Sequence, residues 1–482
     1  MHRPFRFGIV LAMVVLVISL RAATPGSAQN GTVIDRAGGD DYGVQVVLTT
    51  DGAPLPGGMA SLTFEATPLM DAPDLLVVWE VPAGVELVGP ARESLGPVAA
   101  GRTVRSQRQA RFLAPGTHKV AVGAAYQPNA AAQFAASGVL FFDVGPGGSR
   151  VSTRNPHARQ PGDTVFLTDV TVSPLAAGPH APTGDPCFDV SGRIVRTDRM
   201  PRQTGLDPAA DVPVQNVRVE IRESDTIADD NYGTVMINSD GTFAFPRFCD
   251  DDGVFDDELE LYIRVWAEVY SGDFLVAEVV DGSAFDPTWE FISNIREHDE
   301  SATLVFNLAS TETQSAIFNI LDSGFAAWSF WNASGGDVDG DRTFDDETEF
   351  EWAPDNDASG SNYQWWVGTE DITIADEPSD PDEWDDSVII HEWNHFADDL
   401  YSCDDNPGGP HALGSLLDTE LAWGEGYGDY YQSAVRSSRG FPDSQFYIEN
   451  QGTTGLNFWV DLENQVDNNG NPLNVSVQDE MA

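Results

Sequence analysis

Positive charge is what this chain most lacks: 25 Lys and Arg residues stand against 77 Asp and Glu over 482 residues, a formal charge of −52. The basic set is almost wholly arginine. A surface so negative excludes nucleic acid and anionic membranes as partners on electrostatic grounds. Cysteine is equally sparse, and three residues permit one internal bridge with one thiol left over. Long apolar runs are absent after the first residues, so no later segment has the roughly 20 apolar residues that a membrane-spanning helix needs.

The one apolar run is N-terminal. His2, Arg3 and Arg6 precede an apolar core at 8–20, followed by Gly26, Ser27 and Ala28 as a small-residue cleavage site. This is the pattern of a secretory signal peptide over residues 1–28, and it predicts an exported, extracellular chain. In that compartment Cys187 and Cys249 are the natural disulfide pair, with Cys403 left as a free thiol or paired beyond residue 482.

Residues 29–150 carry no helical pattern. Segments 61–67, 75–81 and 119–125 alternate or run apolar between Gly and Pro turns, which predicts an immunoglobulin-like β-sandwich. A Pro- and Gly-rich stretch marks a linker over 151–186, with 164–172 able to form a strand inside it. A second set of strands over 187–300 includes 190–195, 217–221, 241–245 and 259–269. Asp211-Val212-Pro213-Val214 before one strand and Asp240-Gly241-Thr242-Phe243-Ala244-Phe245 at another resemble transthyretin-like or carboxypeptidase-regulatory-like sandwiches, modules that act more as spacers or docking surfaces than as catalysts.

The chemistry is concentrated in residues 301–482. His391-Glu392-Trp393-Asn394-His395 places two imidazoles four residues apart, on one face if the segment is helical. Asp385, Asp386 and Ser387 supply an N-cap and first-turn negative charge, while Ile389, Trp393, Phe396 and Leu400 form an apolar stripe at helical spacing. Upstream, residues 371–375 alternate as a short strand expected to run along the cleft. Downstream, Glu425 and Asp429 are a Glu-x-x-x-Asp pair on one face of a second helix. Gly424, Gly426 and Gly428 each cost that helix about 1 kcal/mol relative to alanine, which predicts a close backbone approach to the histidine helix.

These two blocks resemble the gluzincin metallopeptidases, the group that includes thermolysin-like enzymes. The resemblance covers about residues 315–482 and implies an α+β zincin-like domain after the two all-β sandwiches. It implies His391, His395 and Glu425 as zinc ligands, Glu392 as general base, and Asp429 as the acceptor that orients a ligand imidazole. The His395 to Glu425 separation is longer than in thermolysin-like enzymes, and His411 in that loop is the rival third ligand. His411, Tyr427, Tyr430 and Tyr431 are candidate donors to the transition-state oxyanion. Ser476-Val477-Gln478-Asp479 resembles a helix start close to Ala482, so the expected domain is truncated at its C-terminus.

The acidic residues raise a second metal. Asp337, Asp339 and Asp341 resemble the start of an EF-hand-like calcium loop, departing from it at Arg342 and Thr348, and Asp250–Asp252 with Asp256 and Asp257 form a weaker candidate. The expected activity is peptide-bond hydrolysis on protein or peptide substrates, with extracellular ligands for the sandwiches. The competing expectation is a calcium-stabilised binding or adhesion protein whose peptidase-like module is inactive.

Overall fold

The computed structural model describes residues 33–35, 43–153, 164–174, 186–224, 229–249, 259–282, 287–298, 300–334, 347–354, 356, 360–366, 369–377, 380–402, 406–409, 411, 417–441, 446–451 and 454–462. The segment expected to be a signal peptide, the EF-hand-like segment at Asp337, Asp339 and Asp341, the acidic cluster around Asp251, Cys403 and the C-terminal Ser476 segment lie outside the described residues. Among the described residues strand dominates, at 52% against 19% helix, so these residues form a set of sheets on which three helices are mounted.

Two sheets pack face to face near the N-terminus. One contains Val44–Thr50, Met59–Pro68, Val104–Phe112 and Val85–Val88; the other contains Ala132–Gly145, Gly116–Asn129, Leu76–Glu80 and Arg92–Ser94. After the exposed Met59, strict alternation of buried and half-buried residues through Pro68 shows why this sequence folds as a sheet with one covered face. Leu48, Phe64, Trp79, Phe112, Phe134 and Phe142 fill the space between the two layers. Residues from the far end of the chain complete this sandwich. The hairpin Phe446–Gln451 and Leu456–Asp461 adds to the second sheet, with Trp459 opposite Gln133, and Phe458 and Val460 enter its core. Sequence patterning alone assigns this hairpin to the metallopeptidase region, because strand pairing over 300 residues apart leaves no local signal.

A second pair of sheets follows. The strand Leu167–Pro174, inside the stretch expected to be a linker, pairs antiparallel with Ala302–Ala309, which in turn runs parallel to Cys187–Asp198. Residues 302–309, expected beyond a boundary at 300, are therefore interior to this sheet. The Cys187–Cys249 disulfide forms as expected, joining two residues that sit opposite each other on paired strands. The partner sheet runs Asp230–Met236, Val217–Glu223, Leu259–Ser271, Phe274–Val280, Thr348–Glu351, Thr369–Thr373, Asn362–Trp366. Its last three strands lie beyond residue 300, so one continuous sheet reaches from the sandwich into the region that bears the metal motif.

The three helices are α1 (Glu312–Ala333), α2 (Asp386–Tyr401) and α3 (Thr419–Ser438). Helix α1 opens with a capping box in which Thr311 Oγ1 accepts from the Gln314 N–H while Gln314 Oε1 accepts from the Thr311 N–H. It lies close on the sheet because Gly324 leaves room for Phe350; a Cβ there would sit 2.7 Å from the ring. Its buried Asn319 is a junction. Arg196 of the sandwich donates to Asn319 Oδ1 at 2.8 Å, and Asn319 Nδ2 donates to Asp386 Oδ1 at the start of α2 at 3.1 Å. A single apolar core thus runs from Phe188 and Phe306 through Ile317 and Phe350 to Trp393 and Tyr431.

No helix among the described residues is long and apolar enough to cross a membrane. The disulfide closes a segment of 62 residues, long enough that its loss frees considerable chain entropy in the unfolded state. Replacing Cys187 and Cys249 together by serine is expected to lower unfolding stability by about 2–4 kcal/mol, measured by denaturant titration; an unchanged midpoint would show that the surrounding strands alone fix this edge.

Candidate metal centre

Helix α2 forms where the apolar stripe predicts. Ile389, Trp393 and Phe396 are buried and Leu400 packs partly against the same core. Its start differs from expectation: Asp385 occupies the N-cap without a side-chain capping bond. Asp386 instead accepts from Asn319 and Ser323, and Ser387 Oγ donates to the Ile448 carbonyl. Asp386, the first residue of α2, therefore serves tertiary contacts with α1.

Trp393 anchors the helix from below. Its indole N–H donates to Thr348 Oγ1 at 3.1 Å, and its ring stacks on Tyr431 of α3 with centroids 6.0 Å apart. With Trp393 fixed, His391 and His395 face α3. Helix α3 presents Glu425 and Asp429 to them, from the side whose Leu421, Ala422 and Tyr431 are buried.

The expected close approach occurs at Gly428. A Cβ there would lie 2.7–2.9 Å from three atoms of the His391 ring, closer than any side chain tolerates, so this glycine is what lets the imidazole lie against α3. Gly424 is similarly opposed by Asn406, with a Cβ position 2.3 Å from its amide.

The donor atoms meet at a point. His395 Nε2 lies 3.0 Å from His391 Nε2, and Glu425 Oε2 is 3.1 Å from the first and 3.2 Å from the second. Ligand atoms held about 2.0–2.2 Å from a tetrahedral zinc lie roughly 3.3–3.6 Å apart, so the three donors need open by only a few tenths of an ångström to accommodate the ion. Two neutral imidazole nitrogens and a carboxylate oxygen are also the donor types that zinc prefers. The fit extends outward, because His391 Nδ1 is 3.1 Å from Asp429 Oδ1. That contact makes Nδ1 the protonated nitrogen and leaves Nε2 as the lone-pair donor.

The electrostatics agree with a cation site. Burial works against charge on both histidines, but the hydrogen bonds that His391 donates to Asp429 and Glu425 outweigh it and hold its pKa well above the ordinary 6.5. His395 is also raised: burial opposes, and the Glu425 charge prevails. Burial would raise Glu425, yet His395 and His391 hold it well below the usual carboxylate range. A cationic partner for this carboxylate is thus built into the site.

Glu392 lies beside the ligands on α2, near enough for its charge to act on both histidines. Its Oε2 accepts the Tyr363 backbone N–H at 2.9 Å. That N–H belongs to Asn362–Trp366, which pairs with Thr369–Thr373 and lies at the end of the sheet order. The expected cleft strand over 371–375 is instead interior, paired on one side with Asn362–Trp366 and on the other with Thr348–Glu351. Alternation identifies a strand but not its place in a sheet, and an interior strand has no backbone edge to offer.

Of the four proposed oxyanion donors, His411 is the one brought to the ligands, with Nε2 3.6 Å from Glu425 Oε2. The Tyr431 hydroxyl donates to the Ala327 carbonyl of α1 at 2.8 Å within the core, so this residue is structural. Tyr430 is exposed on the outer face of α3, and Tyr427 stacks on the exposed Trp423.

Two outcomes follow from this packing. Gly428→Ala removes a helix-weakening residue but drives a methyl into His391; zinc affinity is expected to fall at least about tenfold, the loss typical of disturbing a ligand's support, with helicity unchanged, and unaltered zinc binding by calorimetry would show that the approach is not required. In the zinc-free chain, the raised His391 pKa contributes stability present below 6.5 and lost as pH rises through the folded value. The depressed Glu425 contributes stability present above 4.5 and lost as pH falls through its folded value. Melting curves from about pH 5 to about pH 9 should therefore show the zinc-free midpoint falling with rising pH, a trend that zinc reverses because it competes with protons for the same nitrogens. No family model and no curated protein matches the chain.

Proposed function

We propose that this protein is an exported zinc-dependent peptidase of gluzincin type, with His391, His395 and Glu425 as ligands and Glu392 as general base. The observation that carries the proposal is the meeting of His391 Nε2, His395 Nε2 and Glu425 Oε2 within 3.0–3.2 Å of one another, with Asp429 fixing the His391 tautomer. His391, His395 and Glu425 would hold the ion, which would supply Lewis-acid activation of water and of a scissile carbonyl.

The chain's own groups supply the rest. One oxygen of Glu392 is held by the Tyr363 N–H, which orients the other to take the proton of the attacking water and deliver it to the leaving amine. The strand Asn362–Trp366 is locked on α2 by the Tyr363 hydroxyl, which donates to Asp399 at 2.8 Å, and by the edge contact of its ring with Phe396. Its outer edge can bind an extended peptide through backbone hydrogen bonds, which brings a peptide carbonyl past Glu392. His411 is the best-placed donor to the developing oxyanion.

The test is cleavage of an unstructured protein such as casein together with metal content. Glu392→Gln should lower kcat/KM by about 10²–10⁴-fold while retaining one zinc, and Glu425→Ala should lose zinc. Full turnover in Glu392→Gln would remove the general-base role. Tight zinc with no turnover in the native chain would favour an inactive peptidase-like module in a binding protein.

A further inference from the structure

A second group of buried carboxylates lies just before α2. Asp380, Asp382 and Asp385 each place an oxygen within 4.8 Å of the others, and they are 6%, 1% and 0% exposed. An acidic cluster on a surface is ordinary, but this one is enclosed. Asp382 Oδ2 accepts from Ser361 Oγ at 2.5 Å, whereas its Oδ1 is fully buried and has no hydrogen-bond partner among the described residues. Oε2 of the adjacent Glu383 is likewise buried without a partner. The charges acting most strongly on Asp382 are Asp380, Asp385 and Glu392, all negative. The buried guanidinium on this side, Arg436, acts on Asp386 and Asp385.

We propose that Asp380, Asp382 and Asp385 form a calcium site that fixes the entrance to α2. The donors are all carboxylate oxygens, which select a hard cation over zinc or copper. Calcium is favoured over magnesium because enclosed carboxylates must replace several waters, and magnesium gives up its hydration reluctantly. The 3₁₀ turn Asp382–Trp384 carries Asp382 and is flanked by Asp380 and Asp385, and the remaining oxygens of the 6–8 typical of calcium would have to come from backbone carbonyls or water. The site is distinct from the EF-hand-like segment at Asp337, and it does not depend on zinc at the histidines.

Its consequence for the cleft is mechanical. Ser361, which binds Asp382, also accepts the Ala375 N–H at 2.9 Å and immediately precedes the strand whose Tyr363 N–H holds Glu392. Calcium on Asp382 therefore ties the edge strand and the start of α2 to one point.

The experiment is calcium titration by calorimetry of the full, zinc-loaded chain in calcium-free buffer, comparing native protein with Asp382→Asn. The native chain should bind with a dissociation constant of about 1 mM or tighter, the range of extracellular calcium modules, and Asp382→Asn should bind one calcium fewer and lose part of the calcium-dependent rise in melting temperature. If Asp382→Asn does not fold, terbium luminescence decides: Trp384, next to the ligands and 4% exposed, should sensitise bound terbium, and Trp384→Phe should lower that emission. The proposal is overturned if folded Asp382→Asn binds as many calcium ions as the native chain, or if Trp384→Phe leaves the emission unchanged. It is also overturned if the native chain binds no calcium and instead shows an infrared band of a protonated buried carboxyl. Zinc content read in the same samples separates failure here from failure of the peptidase proposal.

Discussion

The contact on which the site depends is the one between the His391 ring and the bare backbone of Gly428. Helices α2 and α3 must approach closely enough for Glu425 to reach both imidazoles, and any side chain at 428 would hold them apart. The glycine-rich run of α3 weakens the isolated helix by about 1 kcal/mol per glycine, and the packing of Trp393 on Tyr431 offsets that loss. Helix propensity is sacrificed at the position where the donor geometry requires it.

That packing in turn rests on the sheets. Trp393 is tied to Thr348 on the long sheet, Tyr431 to Ala327 of α1, and α1 to the sandwich through Arg196 and Asn319. The second sandwich is therefore a foundation for the helices and not a detachable spacer, since its hydrophobic core is continuous with theirs. The first sandwich is bound in by the returning hairpin, whose Ile448 carbonyl accepts from Ser387 in the first turn of α2. The returning hairpin thus links the first sandwich to the base of the histidine helix.

Much of this was legible in the sequence where the signal is local. The stripe Ile389, Trp393, Phe396 gives α2, the spacing of His391 and His395 gives a shared face, and the costly glycines of α3 foretell a close approach. The Cys187–Cys249 pair follows from the expected export and from position. What the sequence does not carry is pairing between distant segments: the place of Ala302–Ala309 inside the second sheet, the return of Leu456–Asp461 to the first, and the edge position of Asn362–Trp366 all depend on partners far along the chain. Asp382 shows the same limit at the level of a side chain. As Asp-Pro-Asp-Glu-Trp-Asp-Asp, its segment reads as one more solvated acidic run, and only burial by the surrounding core distinguishes it. Tyr431 fails as a candidate donor for a related reason, because a tyrosine that packs and one that points into a cleft look alike in sequence.

In the proposed zinc centre α2 supplies two imidazoles and α3 one carboxylate to a single ion. X-ray absorption at the zinc edge of the native chain tests it directly. The expected spectrum is that of one tightly bound zinc with four nitrogen or oxygen neighbours at about 2.0–2.2 Å, of which two are imidazoles. Three imidazoles in the first shell, with His411 replacing Glu425, or a sulfur neighbour from Cys403, would contradict it.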